Sequence, residues 1–303
     1  MGIKSSTLNI YDKQYKSLLI ITILLLVFAM AILGYQYATT GEFVQKGVSL
    51  KGGITVTIPI ENAVNVPALQ AALSSRLTKA DIGVRSVTEA GIAKEIIIEA
   101  ANVEPEELED AIQQEGIPLI DGEYSIESMG SALGQRFFQQ TIIAIIIAFL
   151  AMGAVVFITF RQTIPSLFVI LAASSDMICT LAVVSLLGIK LSTAGVAAFL
   201  MLIGYSVDTD ILLTTRVLRR KEGTIFHRTV DAMKTGMTMS MTSLLAAMTA
   251  YFFTTSDVIK QIMLIIIIGL IFDMLNTWIQ NAGILRWHLE RKQAARHKQE
   301  NQE

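Results

Sequence analysis

The chain has 303 residues, 52% of them apolar, with 24 basic and 26 acidic side chains for a formal net charge of −2, and its mean hydropathy is +0.55. This is the composition of an integral membrane protein and excludes a soluble domain built around one large core. The single cysteine, Cys179, cannot form an internal disulfide and reads as small apolar packing.

Counting residues between charges locates the spans. Charge-free runs cover Ser17 to Gly41, Phe137 to Phe160 and Thr235 to Ser256, and a bilayer core needs about 20 residues of helix, so each run crosses alone. Three further runs are interrupted only by acids: Arg161 to Lys190 encloses Asp176, Lys190 to Arg216 encloses Asp208 and Asp210, and Lys260 to Arg286 encloses Asp273. The expected fold is an α-helical membrane protein with six transmembrane helices, at about 17–38, 137–160, 163–187, 192–215, 236–256 and 261–285, between an N-terminal tail 1–16 and a C-terminal tail 286–303. The first run is too long for a signal-peptide core of about 7–15 residues, so it reads as an uncleaved anchor.

Lys and Arg in the short connections orient these spans. Lys4, Lys13 and Lys16 precede the first, Arg161 follows the second, and Arg216, Arg219, Arg220, Lys221, Arg228 and Lys234 lie between the fourth and fifth. Arg286, Arg291, Lys292, Arg296 and Lys298 follow the last, whereas the two opposite short loops hold only Lys190 and Lys260. Both termini are therefore expected in the cytoplasm, with residues 39–136 outside.

That outer segment carries fifteen acidic and seven basic residues, a sign that argues against a nucleic-acid surface. Ile54, Val56, Ile58 and Ile60 alternate with polar residues and Pro59 as a strand, Pro67 opens a helix to about Lys79, and Ile82–Glu89 and Lys94–Ala100 read as strands around a turn at Gly91. Pro105, Glu106 and Glu107 start a helix to about Gln114. A strand near Glu123–Ser128 completes β-α-β-β-α-β, the order of an extracytoplasmic α+β ferredoxin-like domain.

No G-x-x-x-x-G-K-[ST] phosphate loop is present. His227, His288 and His297 lack metal-ligand spacing, so no cofactor, metal site or catalytic residue is expected. The intramembrane acids stand out instead. A central Asp costs roughly 2.5–3.5 kcal/mol on insertion, and such residues face a bundle interior, a partner or a water path. The tight connection Gly188–Ser192 makes the third and fourth spans antiparallel neighbours, bringing Asp176 within reach of Asp208 or Asp210. At 100° per residue Asp208 and Asp210 point about 160° apart and cannot share a face, while Asp208 and Arg216 lie within about 80°. Asp176, Asp208, Asp210 and Arg216 are the expected intramembrane polar site, a candidate for proton or ion coupling, and Asp273, which can pair with Asn276 on its own helix, is secondary.

The chain resembles a known family. Gly47-Val48-Ser49-Leu50-Lys51-Gly52-Gly53, Glu127-Ser128-Met129-Gly130 leading to Leu133-Gly134, Ser175-Asp176, and Gly204-Tyr205-Ser206-Val207-Asp208-Thr209-Asp210 running on to Arg216 are similar to the SecF family of protein-export membrane proteins, within the resistance-nodulation-division superfamily. Asp208-Thr209-Asp210 stands where bacterial members have Asn-Asp, which resembles the archaeal branch. The resemblance implies an accessory subunit that acts with SecD beside the SecY channel on translocating preprotein, embedded in membrane lipids and not an enzyme. It also implies proton coupling, for which Asp176 matches directly. Two other readings stand beside it: a small-molecule efflux subunit of the same superfamily, and an intramembrane aspartyl protease using two acids as a dyad.

Overall fold

A computed structural model describes residues 11–60, 64–89, 92–120, 122, 124–219, 222–254 and 256–300. Lys4, the turn at Gly91, the strand start at Glu123, and Arg220 and Lys221 lie outside the described residues. The chain divides into a helical unit, Met1–Gln45, Ala144–Ile189 and Ala194–Glu303, and a second unit, Lys46–Ile143 with Lys190–Thr193.

The helical unit begins with α1, Tyr15–Thr40, whose end is set by Gly41 at φ 74°, a left-handed conformation that a glycine adopts without strain. A short α2, Val48–Lys51, and the helices α3, Val66–Arg76, and α4, Pro105–Gln114, belong to the second unit; α5 covers Ser131–Phe160, α6 Thr163–Leu186 and α7 Thr193–Arg219. The next helix, α8, spans Ile225–Phe253, capped by the Thr224 hydroxyl, which accepts from the His227 backbone N–H at 3.2 Å. Then α9, Asp257–Leu275, passes through a π-helical turn, Asn276–Asn281, into α10, Ala282–Glu300. Among the described residues five helices are long and apolar enough to cross a membrane: Tyr15–Thr40, Leu133–Phe160, Thr163–Leu186, Thr193–Arg219 and Val258–Ala295. The expected span at 236–256 falls in α8, which has the length but is diluted by Thr and Ser residues and is not among the five.

Close packing inside this unit uses small residues. Ala29 and Leu33 of α1 meet Cys179 and Ala182 of α6. A Cβ on Gly269 of α9 would lie 2.4 Å from Leu202 of α7, so the glycine lets the Leu202 side chain pack against the backbone. At the other end of α1, Arg286 of α10 pairs with Asp12 and Glu290, each at 2.7 Å, and lies over the Tyr15 ring. The Tyr11 hydroxyl there donates to the Trp278 carbonyl, and burial pushes its phenol up to about 12. Tyr11, Asp12 and Tyr15 are thus tied to α10 and the turn that leads into it.

In the second unit four strands, β1 Gly53–Pro59, β2 Asp81–Glu89, β3 Ile92–Ala101 and β4 Ser125–Met129, form an antiparallel sheet in the order β2-β3-β1-β4. Alternation in β1 sends Ile54, Val56 and Ile58 to one face, where they join Ile96 and Ile98 of β3 and pack on Leu69 and Leu73 of α3, Val66–Arg76, and on Leu108 and Ile112 of α4, Pro105–Gln114. β3 holds the longest registers, with β1 on one side, Ile54 opposite Ala100, and the edge strand β2 on the other, Val84 opposite Ile98.

The glycines of the Gly47–Gly53 stretch have specific tasks. Gly52 and Gly53 take φ of 86° and 133°, and a Cβ on Gly53 would lie 2.5 Å from the Ala100 carbonyl oxygen. A Cβ on Gly134 would lie 2.5 Å from the Gly52 nitrogen, so the two motif segments touch backbone to backbone. Lys51, just before Gly52, is exposed. Residues 190–193 belong to this unit as well. Gly47 N–H donates to the Leu191 carbonyl at 2.8 Å, Thr193 N–H donates to the Ser49 hydroxyl at 3.1 Å, and the buried Glu99 carboxylate accepts from Lys190 and from Arg85 at 3.2 Å.

Candidate functional site

Three carboxylates, Asp176 of α6, Asp210 of α7 and Asp273 of α9, are fully buried in the helical unit. Their neighbours are neutral donors. Ser206 hydroxyl donates to Asp176 Oδ2 at 2.6 Å and Asn276 Nδ2 to Asp176 Oδ1 at 2.8 Å. Asn281 Nδ2 donates to Asp210 Oδ1 at 2.7 Å. Thr209 Oγ1 lies 3.1 Å from both oxygens of Asp273. Thr277 Oγ1 lies 3.0 Å from Asp210 Oδ1 and 3.2 Å from Asp273 Oδ1, and since a hydroxyl has one proton to give, it serves one acid at a time. Gln280 Nε2 donates to the Ser175 hydroxyl at 3.0 Å behind Asp176.

Local structure explains the convergence. On α7, Ser206, Thr209 and Asp210 are three and four positions apart and share the inward face. The π-helical turn gathers Asn276, Thr277, Gln280 and Asn281, all buried, towards the acids, as such wide turns commonly do at functional sites. No Lys or Arg among the described residues bonds to any of the three acids. Asp210 Oδ2, Asn276 Oδ1 and Asn281 Oδ1 are buried without a hydrogen-bond partner among the described residues. Desolvated acids that meet only neutral donors have their charge solvated weakly and uncompensated, and ionising more than one sets like charges together. No group of three or more His, Cys, Asp or Glu side chains among the described residues could hold a metal ion.

Of the residues expected in the site, Asp176 and Asp210 come together and Asp208 and Arg216 stand apart. Asp208 is exposed on the opposite face of α7, and Arg216 donates from Nη1 to the Asp231 carbonyl of α8 at 3.0 Å. Asp273 belongs with the first two, and Asn276 bonds to Asp176 and not to Asp273. Among the motif residues, Ser206 enters the site while Gly204 and Tyr205 are exposed. Thr209, Thr277, Gln280 and Asn281 were not expected there. The signal for the last three was four polar residues crowded into 276–281 of an apolar run.

Residues 120–291 match the family described as protein export membrane protein SecD/SecF, C-terminal. The chain belongs to the SecD/SecF protein-export family. Relatives named protein-export membrane protein SecF include one from Pyrococcus furiosus, 37% identical over 96% of this chain and 97% of the relative, and one from Methanothermobacter thermautotrophicus, 39% identical over 92% and 94%. The fold is similar to the crystal structure of SecDF, a translocon-associated membrane protein, from Thermus thermophilus, with a TM-score of 0.71 and 19% identity over 90% of this chain. It is also similar to SecDF in its super-membrane-facing form, with a TM-score of 0.58 and 21% identity over 92% of this chain. This chain spans 38% and 39% of those two chains.

Proposed function

We propose that the protein is an accessory subunit of the Sec export machinery, working with SecD beside the SecY channel to promote preprotein translocation, and that Asp176, Asp210 and Asp273 carry protons that drive it. It acts as a membrane subunit and not as an enzyme. The observation that carries the proton reading is three buried carboxylates from three helices held by neutral hydroxyls and amides alone. Charge placed there is costly, so its amount is set by protons taken up or released. The Thr277 hydroxyl, within reach of both Asp210 and Asp273, couples their states: as one acid gains a proton, the hydroxyl is freed to serve the other.

The same reading assigns α8 as a sixth span in membrane lipids, where the exposed Thr238, Thr242 and Thr249 hydroxyls donate to carbonyls of their own helix, and puts both termini in the cytoplasm, consistent with their basic residues. The second unit, with its β-α-β-β-α-β order and β2-β3-β1-β4 sheet, is then an extracytoplasmic ferredoxin-like domain handling emerging polypeptide. Vesicles test the proton reading. Asp176→Asn and Asp210→Asn should each abolish stimulation of preprotein export while SecD still co-purifies in mild detergent; wild-type export in the double variant would overturn it.

A further inference from the structure

One contact outside the acid cluster bears directly on it. The turn 276–281 brings Asn276 to Asp176, Asn281 to Asp210, and Thr277 to Asp210 and Asp273, so these bonds depend on the turn keeping its wide form. In a regular α-helix the Ala282 N–H would donate to the Trp278 carbonyl, four residues back. Here it donates to the carbonyls of Thr277 and Ile279, and the carbonyl it passes over accepts the Tyr11 hydroxyl. A buried carbonyl left without a donor costs about as much as a lost hydrogen bond, and the hydroxyl, brought from the segment before α1, offsets that cost only while the turn stays wide.

Tyr11 is itself held in place. Its ring lies 6.2 Å from that of Phe226 on α8. The Arg286 guanidinium stands 5.4 Å from the same Phe226 ring and pairs with Asp12, the residue after Tyr11. The phenol, raised by burial to about 12, keeps its proton at neutral pH and so remains a donor. The Trp278 side chain, 3% exposed, is fixed separately against the bare backbone of Gly236 on α8, where a Cβ would overlap the indole.

We propose that Tyr11 is a positioning residue for the acid cluster: its hydroxyl, bonded to the Trp278 carbonyl, holds the turn 276–281 wide and so keeps Asn276, Thr277 and Asn281 on the three acids. Its effect on transport rests on the proton reading above, whereas its hold on the turn does not.

Hydrogen exchange of the full chain with SecD in lipid nanodiscs, read by mass spectrometry, tests the hold. Tyr11→Phe keeps the ring and removes the donor. It should speed exchange of the amides in 276–283 about fivefold, the response to losing roughly 1 kcal/mol, and leave those of α1 unchanged. Tyr15→Phe, which removes the neighbouring donation to Glu290 at 2.6 Å, should leave 276–283 as in wild type. In vesicles Tyr11→Phe should also displace the pH profile of export stimulation by about half a unit, which loosening of the segment before α1 does not by itself produce, and Tyr15→Phe should not displace it. Unchanged exchange over 276–283 in Tyr11→Phe, or the same increase in Tyr15→Phe, would overturn the positioning role. Faster exchange with an unmoved pH profile would overturn its link to the acids. Neither result touches the proton reading, which fails instead if Asp176→Asn and Asp210→Asn together leave export at the wild-type level.

Discussion

Ser206→Ala removes one oxygen and little volume, so it measures a single bond in the acid cluster. The lost contact is the hydroxyl donation to Asp176 Oδ2 at 2.6 Å, in a residue 1% exposed. A neutral hydrogen bond contributes about 0.5–1.5 kcal/mol and one to a charged group about 1.5–3; pairs between membrane helices average about 0.6 and reach about 1.7. Asn276 still donates to Oδ1 after the substitution, so Asp176 keeps one partner and the expected destabilisation is about 1 kcal/mol. Reversible unfolding in mixed micelles reads this, with Asp176→Asn and the double variant completing a mutant cycle. The coupling between the two positions should be at least about half of the single Ser206 effect, because most of that effect passes through Asp176. Ser206→Ala within about 0.3 kcal/mol of wild type, or the same cost with and without the Asp176 carboxylate, would refute the bond as a structural contributor.

Other outcomes follow from the second unit and from topology. Gly134→Ala should destabilise the sheet unit by about 1–3 kcal/mol, the cost of overpacking, because its Cβ would stand 2.5 Å from the Gly52 nitrogen with no flexible side chain to give way; hydrogen exchange of β1 reports it, and unchanged protection would contradict the packing. Glu99→Gln should loosen Lys190 and Arg85 together, costing about 1.5–3 kcal/mol for a charged buried acceptor, seen as faster proteolysis near residues 190–193. In a chain whose Cys179 is replaced by Ala, cysteines at Lys79 or Glu107 should react with a membrane-impermeant thiol reagent on intact cells and one at Lys292 should not; the reverse pattern would invert the proposed orientation.

Alternation and proline placement made the sheet unit readable from residues 54–114, since a half-buried strand and a proline-started helix each write their period directly into the sequence. The acids were readable as out of place, because cost at bilayer depth needs no fold to be recognised. Which of Asp208 and Asp210 turns inward was not. Angular separation along one helix shows that the two diverge but carries no information on which side is packed, and that depends on Leu202, Ser206 and Leu213 finding partners on other helices. Asp273 was demoted because Asn276 offered it a local partner at helical spacing. The wide turn beginning at Asn276 re-aims that amide, and nothing in residue spacing announces a change from i→i+4 to i→i+5 bonding.

That wide turn has a mechanical consequence. A π turn is an α-helix holding one residue more than its pitch accommodates, so it behaves as a movable dislocation. Exchanging one i→i+5 bond for an i→i+4 bond passes the surplus residue a step along the chain, rotating the side chains it crosses by roughly the 100° that separates neighbours on a helix. Asn276, Thr277, Gln280 and Asn281 lie within that stretch. The set of donors offered to the three acids can therefore be re-dealt while Leu275 and Ala282, where the regular helix ends and resumes, keep their places in the bundle.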